Sequence, residues 1–185
     1  STAVGDVNRD GSLDLVVGVV GLAQAVPPVA DSVAVYLGNG DGSFQAQTRF
    51  GVGDNPVSVA VADLDGDGWL DLVTANGFEF SNDVSVLLGN GDGSFQTPVT
   101  FATGLNPHSV TAGHFNGDGL LDLAVANYGA HTVAVLLGNG NGAFQAAVTY
   151  AASFNPVWIG ATDVNGDGAV DVVTTNLASS TASVL

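Results

Sequence analysis

Short apolar runs, many with β-branched residues and cut by Gly, Asn and Asp, follow one another along the whole chain, and no stretch sustains a helical period. The pattern is clearest from Asn55 to Gly104. There Val57–Ala62 predicts a first strand, Asp71–Ala75 a second, Val84–Leu88 a third and Ser94–Thr100 a fourth. The turn before the fourth, Gly89–Gly93, recurs as Gly38–Gly42 and Gly138–Gly142, and its Asn-Gly pairs suit a hairpin. The unit repeats about every 50 residues, as 1–53, 54–104, 105–153 and 154–185, the last stopping inside its third strand at Ala182–Leu185.

Four antiparallel strands per unit at this period predict an all-β fold, a β-propeller of four-stranded antiparallel blades, as one domain or part of one. About four blades fall in this chain, with the last incomplete. Phe44, Phe95 and Phe144 recur in register, as do Phe50, Phe101 and Tyr150. These six are expected to pack the blades rather than to bind anything.

Between the first and second strands of every unit lies one acidic loop: DVNRDGSLD (Asp6–Asp14), DLDGDGWLD (Asp63–Asp71), HFNGDGLLD (His114–Asp122) and DVNGDGAVD (Asp163–Asp171). Calcium takes six to eight oxygen ligands at roughly 2.3–2.6 Å. Side chains at positions 1, 3 and 5 of a tight turn converge on one point: Asp6, Asn8 and Asp10; Asp63, Asp65 and Asp67; His114, Asn116 and Asp118; Asp163, Asn165 and Asp167. The carbonyls of Ser12, Trp69, Leu120 and Ala169 at position 7 can add a ligand, and Asp14, Asp71, Asp122 and Asp171 at position 9 can close the shell. In Trp69 the carbonyl is expected to matter more than the ring. Val17, Thr74, Val125 and Thr174 stand where an EF-hand needs its bidentate Glu, and the flanks are strand-like, so that motif is excluded. His114 departs from the pattern, because imidazole is a poorer calcium ligand than carboxylate. The third site is therefore expected to bind weakest, to be lost first as pH falls, or to be empty.

Charge supports an ion. Of 17 aspartates, 12 lie in these loops, beside one Glu, two Arg, no Lys and a formal net charge of −16. Four bound Ca²⁺ would bring that to about −8. Such acidity argues against nucleic acid and anionic membrane as partners, and no apolar stretch is long enough to span a bilayer. Without Cys there is no disulfide or thiol chemistry. Open calcium sites of this kind suit the near-millimolar calcium found outside cells. The expected setting is extracellular or cell-surface, bacterial in the first instance.

The loop with its following strand (DLDGDGWLDLVTAN, 63–76), the hairpin LLGNGDGSF (87–95) and the tail FATGLNP (101–107) resemble FG-GAP/VCBS repeats, the blades of integrin-α-type propellers and of related bacterial and fungal modules. The resemblance covers essentially the full chain, with His114 and the lengthened segment Gly18–Ser32 as departures. It implies a ring of about seven blades, so four units are expected to be part of a larger ring or an assembly. It also implies that a ligand engages the face opposite the acidic loops. That face carries the variable connections: Gly51–Pro56, Ala102–Pro107 and Ala151–Pro156 between units; Gly18–Ser32, Gly77–Asp83, Tyr128–Thr132 and Leu177–Thr181 within them. Phe78, Glu79, Phe80, His108, Tyr128, His131 and Trp158 are the candidate ligand residues there.

The leading expectation is a calcium-stabilised extracellular binding or adhesion module for carbohydrate or protein. The alternative is a structural subunit of a surface layer or filament, assembled through the open edge at Ser183–Leu185. A polysaccharide-active enzyme is the poorest fit, because three scattered His, one Glu and no Lys or Cys leave no catalytic pair.

Overall fold

The computed structural model describes residues 1–21, 30–77 and 80–185. Among them are fifteen strands and no helix. The first unit holds β1 (Thr2–Gly5), β2 (Asp14–Val19), β3 (Ser32–Tyr36) and β4 (Thr48–Gly51), and the second β5 (Pro56–Ala62), β6 (Asp71–Asn76), β7 (Asp83–Leu87) and β8 (Val99–Ala102). The third holds β9 (Pro107–Gly113), β10 (Asp122–Asn127), β11 (Thr132–Leu136) and β12 (Val148–Ala151), and the fourth β13 (Pro156–Thr162), β14 (Asp171–Asn176) and β15 (Thr181–Val184). Each unit is one antiparallel sheet in simple sequential order, four-stranded in the first three and three-stranded in the fourth. The predicted fourth run, Ser94–Thr100, starts too early: only Phe95 bridges back, to Gly89, and the strand proper opens at Val99.

Alternation along each strand gives every sheet two apolar faces, so successive sheets stack and share cores. Val16, Val33 and Val35 of the first meet Val59, Leu72 and Leu87 of the second. Val73, Val84 and Val86 on the other face of the second meet Leu123, Val125 and Leu136 of the third. Ala124, Ala126 and Val133 then meet Ile159 and Val172 of the fourth. β6 and β10 are buried throughout, as strands covered on both faces must be.

The first strands lie side by side from unit to unit. The Ser1 hydroxyl accepts the Val59 N–H at 3.2 Å, Ser58 the Val110 N–H at 3.3 Å and Ser109 the Ile159 N–H at 3.3 Å. These rungs hold the inner strands side by side, a propeller-like arrangement. The inner strands β5, β9 and β13 are each entered through an Asn-Pro pair whose Asn (Asn55, Asn106, Asn155) has φ of 55°, 53° and 56°. Asn tolerates this left-handed conformation better than most residues. The Asn carbonyls accept the N–H of Gly77, Tyr128 and Leu177 at 2.9 Å, pinning each entry to the end of its own second strand.

Candidate functional site

The acidic loops and the hairpins between third and fourth strands share one face, and the variable connections share the other. What ties the first pair together is the ninth-position aspartate. In Asp14, Asp71 and Asp122, all fully buried, one carboxylate oxygen accepts the N–H of the loop's second residue (Val7, Leu64, Phe115) at 2.7–2.9 Å. The other accepts a hairpin N–H (Gly38, Gly89, Gly138) at 2.7–2.8 Å. Asp171 keeps only the Val164 bond at 2.9 Å. Asp14, Asp71 and Asp122 thus tie the loop to the hairpin.

The loops are also pre-shaped by their own hydrogen bonds. Asp63 accepts the N–H of Gly66 at 2.8 Å and of Gly68 at 3.0 Å, and Asp163 repeats this with Gly166 and Gly168. Asp6 accepts from Asp10 at 3.1 Å and Gly11 at 3.0 Å. At position 5, Asp10, Asp67, Asp118 and Asp167 accept the N–H two residues on, at 2.7–2.8 Å. Position 3 does the same through Asn8, Asp65, Asn116 and Asn165. These bonds hold the carboxyls of Asp10, Asp118 and Asp163 below the usual range, chiefly through the N–H of Ser12, Leu120 and Gly168.

The second loop has the donor set that best fits a metal ion. Ligand oxygens of Asp63, Asp65 and Asp71 all lie within 4.8 Å of one another. Burial pushes Asp71 up to about 6, with Asp65 and Asp67 adding like-charge repulsion, and burial also raises Asp65. A hard divalent cation relieves such a cluster. In the third loop the His114 ring takes a different course. Its Nδ1 lies 2.7 Å from the Leu120 carbonyl oxygen and must donate to it. The imidazole thus engages the position-7 carbonyl that the sequence offered as a candidate ligand.

The Trp69 ring is a contact between units. It packs against Gly91, where an added Cβ would stand 2.2 Å from a ring carbon, and the Arg9 guanidinium lies over it at 4.3 Å from the ring centre.

On the opposite face, Gly53 and Asp54 from the connection into the second unit, with Phe80, Ser81, Asn82 and Asp83, line a cleft of about 310 Å³. Phe80 is 82% exposed at its edge. Asp83 is held in place by the Asn76 side-chain amide at 2.6 Å, itself bonded to Ser85 and buried. Phe78 and Glu79 lie outside the described residues. The His108 and Tyr128 rings meet at a tilt of 35° with centroids 5.6 Å apart, and His108 Nδ1 lies 3.1 Å from the Val157 carbonyl of the next unit. His131 accepts the Asn155 N–H on Nδ1 at 3.2 Å and meets Phe154 edge-on at 5.2 Å. These two histidines therefore brace neighbouring units. Phe154, 63% exposed, was not singled out from the sequence, although an aromatic in a variable connection was a readable signal. Trp158 is not in a connection at all. It sits within β13, at the register position of Ser1, Ser58 and Ser109, 53% exposed with its ring over Gly160.

The model of FG-GAP-like repeats matches three overlapping stretches, residues 6–74, 71–125 and 114–174. No curated protein matches the sequence. Among solved structures, a lectin from Agrocybe aegerita that specifically recognises non-reducing terminal N-acetylglucosamine superposes with a TM-score of 0.57 at 24% identity, over 93% of this chain and 45% of that one. The Photorhabdus luminescens Tc holotoxin pore superposes with a TM-score of 0.56 at 20% identity, over 98% of this chain and 8% of that one. At these identities the likeness is one of fold, and this chain spans less than half the length of either.

Proposed function

Since the chain belongs to the FG-GAP-like repeat family, we propose that it is a propeller-type binding module that takes carbohydrate in the Phe80 cleft, with calcium fastening the acidic loops on the far face. The observation that carries this reading is an aromatic ring standing 82% exposed beside two carboxylates, Asp54 and Asp83, in one cleft. A sugar offers C–H groups to a ring face and hydroxyls to carboxylate and amide oxygens, and small-ligand sites combine an apolar wall with a few fixed polar groups in this way. The Asn76 bond to Asp83 supplies the fixing. The lectin's recognition of N-acetylglucosamine supports carbohydrate over peptide as the first ligand to try.

Calcium, in this proposal, is bound by the side chains of Asp6, Asn8 and Asp10, of Asp63, Asp65 and Asp67, and of Asp163, Asn165 and Asp167, with Asp71 joining in the second loop. It neutralises clustered carboxylates and takes no part in ligand recognition. An extracellular or cell-surface setting and binding without turnover belong to the same proposal.

A glycan panel carrying terminal N-acetylglucosamine tests it. The wild-type chain is expected to be retained, and Phe80→Ala to weaken binding at least tenfold, about 1.4 kcal/mol, with the melting temperature unchanged because the ring is exposed. Retention of no glycan, or equal retention of Phe80→Ala, would overturn the carbohydrate reading.

A further inference from the structure

Comparing the units separates what the fold needs in the Phe80 cleft from what it does not. Asn76, Asn127 and Asn176 end the second strands of their units. Each donates its side-chain amide to the residue that opens the third strand: Asp83 at 2.6 Å, Thr132 at 3.2 Å and Thr181 at 3.3 Å. The first unit has Ser32 at that place. A neutral hydroxyl therefore meets the demand of the fold, and the second unit alone puts a carboxylate there. Asp54 is a parallel case. It stands just before the Asn-Pro entry to its unit, where the other two entries have Leu105 and Phe154. Neither position needs a charge, yet both carry one, and both line the same cleft of about 310 Å³.

The cleft's own lining does not offset these charges, since its other described residues are Gly53, Phe80, Ser81 and Asn82. The chain has two Arg and no Lys. Arg9 lies over Trp69 on the acidic-loop face, and Arg49 stands in β4 opposite Ala34. A cleft lined by one sign of charge concentrates the opposite ion, and a net charge of −16 adds to that pull. Phe80 contributes an open ring, 82% exposed, whose face attracts a cation. Asp83 is oriented before any ligand arrives, because the amide that holds it belongs to a fully buried Asn76.

We propose that the Phe80 cleft selects an amino sugar with a free ammonium group, a 2-amino-2-deoxyhexose, over its neutral N-acetyl counterpart. This rests on the carbohydrate reading of the same cleft and names the charge of the sugar it prefers. The Phe80 ring packs on the C–H groups of the sugar. The ammonium donates to Asp54 and Asp83, and bonds between two charged groups are roughly twice as strong as neutral ones. N-acetylation removes the charge and leaves one N–H donor, so both carboxylates must then accept from hydroxyls. The neutral sugar still binds, through the ring and those hydroxyls, but more weakly.

Titration calorimetry on the intact chain with calcium present tests this with three probes of equal length: a glucosamine oligomer, an N-acetylglucosamine oligomer and an oligolysine. Mildly acidic buffer keeps the amines protonated. The glucosamine oligomer is expected to bind at least tenfold more tightly than the N-acetyl oligomer, with added salt eroding the difference. Asp54→Asn and Asp83→Asn are each expected to cut that preference about fivefold, as loss of one charge-assisted bond should. Asp83→Thr, which installs the residue of the third and fourth units, repeats the test with the Asn76 bond kept. Asp41→Asn on the far face removes the same charge and keeps an acceptor of the kind that Asn141 gives the Ala143 N–H, so it should leave the preference unchanged. Equal affinity for the two sugars, or a preference untouched in the Asp54 and Asp83 variants, overturns the proposal and leaves a neutral-sugar site standing. Oligolysine binding as tightly as the glucosamine oligomer also overturns it, because general attraction to an acidic chain would then suffice. Binding of neither sugar overturns it together with the carbohydrate reading.

Discussion

Chelating calcium from the chain is expected to lower its melting temperature by about 20 °C. A site with a Kd near ~10 µM at ~1 mM calcium contributes roughly 2.7 kcal/mol. Three such loops contribute about 8 kcal/mol, comparable with the whole stability of an ordinary domain. For a chain of this length, each kcal/mol moves the midpoint by about 2–4 °C. Differential scanning calorimetry with and without EDTA reads the effect directly, and magnesium should not restore it, since it demands tighter octahedral geometry than these loops offer. Asp71 adds a pH signature. Its folded carboxyl titrates at about 6 against 3.8 for the free group, so without metal its contribution is favourable at low pH and is lost as pH rises between those values. Bound calcium replaces the proton and removes that loss. An unchanged midpoint in EDTA would mean that hydrogen bonds alone hold the loops.

The second large effect is expected at Asp122. This aspartate is fully buried, and its two oxygens satisfy the N–H groups of Phe115 and Gly138. Asp122→Ala leaves both donors without partners, at about 1–3 kcal/mol each. A loss of about 4 kcal/mol follows, or about 12 °C in the midpoint. The third loop is where His114 already takes the Leu120 carbonyl, so this loss should persist in EDTA. Asp122→Asn, which keeps one acceptor oxygen, should lose less. Asp171→Ala, which breaks a single bond, should cost about 1 kcal/mol. Equal losses at Asp122 and Asp171 would show that the hairpin bond contributes nothing.

Much of the fold could be read from the residues because every unit repeats the same local choices. Alternating apolar runs and an acidic turn fall in the same order in all four units, with an Asn-Gly hairpin in the first three and an Asn-Pro entry in the last three, so each copy corroborates the others. The second strands and the two-faced layout follow from that order alone. The site was less legible, because its decisive contacts join side chains to backbone across long separations. Asp122 and Gly138 are 16 residues apart, and Asp14 and Gly38 are 24 apart. No spacing rule announces such pairs, so the ninth aspartate was legible as a candidate ligand but its bonds to the loop and hairpin backbone were not. His114 was recognised as the odd member, but its bond to Leu120 depends on the loop's curvature and appears only in three dimensions. Trp69 and Arg9 belong to different units, 60 residues apart in sequence, and only the stacking of the sheets brings them together. Trp158 was grouped with the candidate ligand residues on the face of the variable connections. The bulge between Pro156 and Trp158 instead puts it in the serine register of the inner strands.

Calorimetric titration of calcium into the metal-free chain counts the filled loops. Three ions per wild-type chain are expected, from the loops that begin at Asp6, Asp63 and Asp163. His114→Asp frees the Leu120 carbonyl and restores the missing carboxylate, and should raise the count to four. A count of zero, or four in the wild type with no change in His114→Asp, would contradict the assignment of the acidic loops as calcium fasteners.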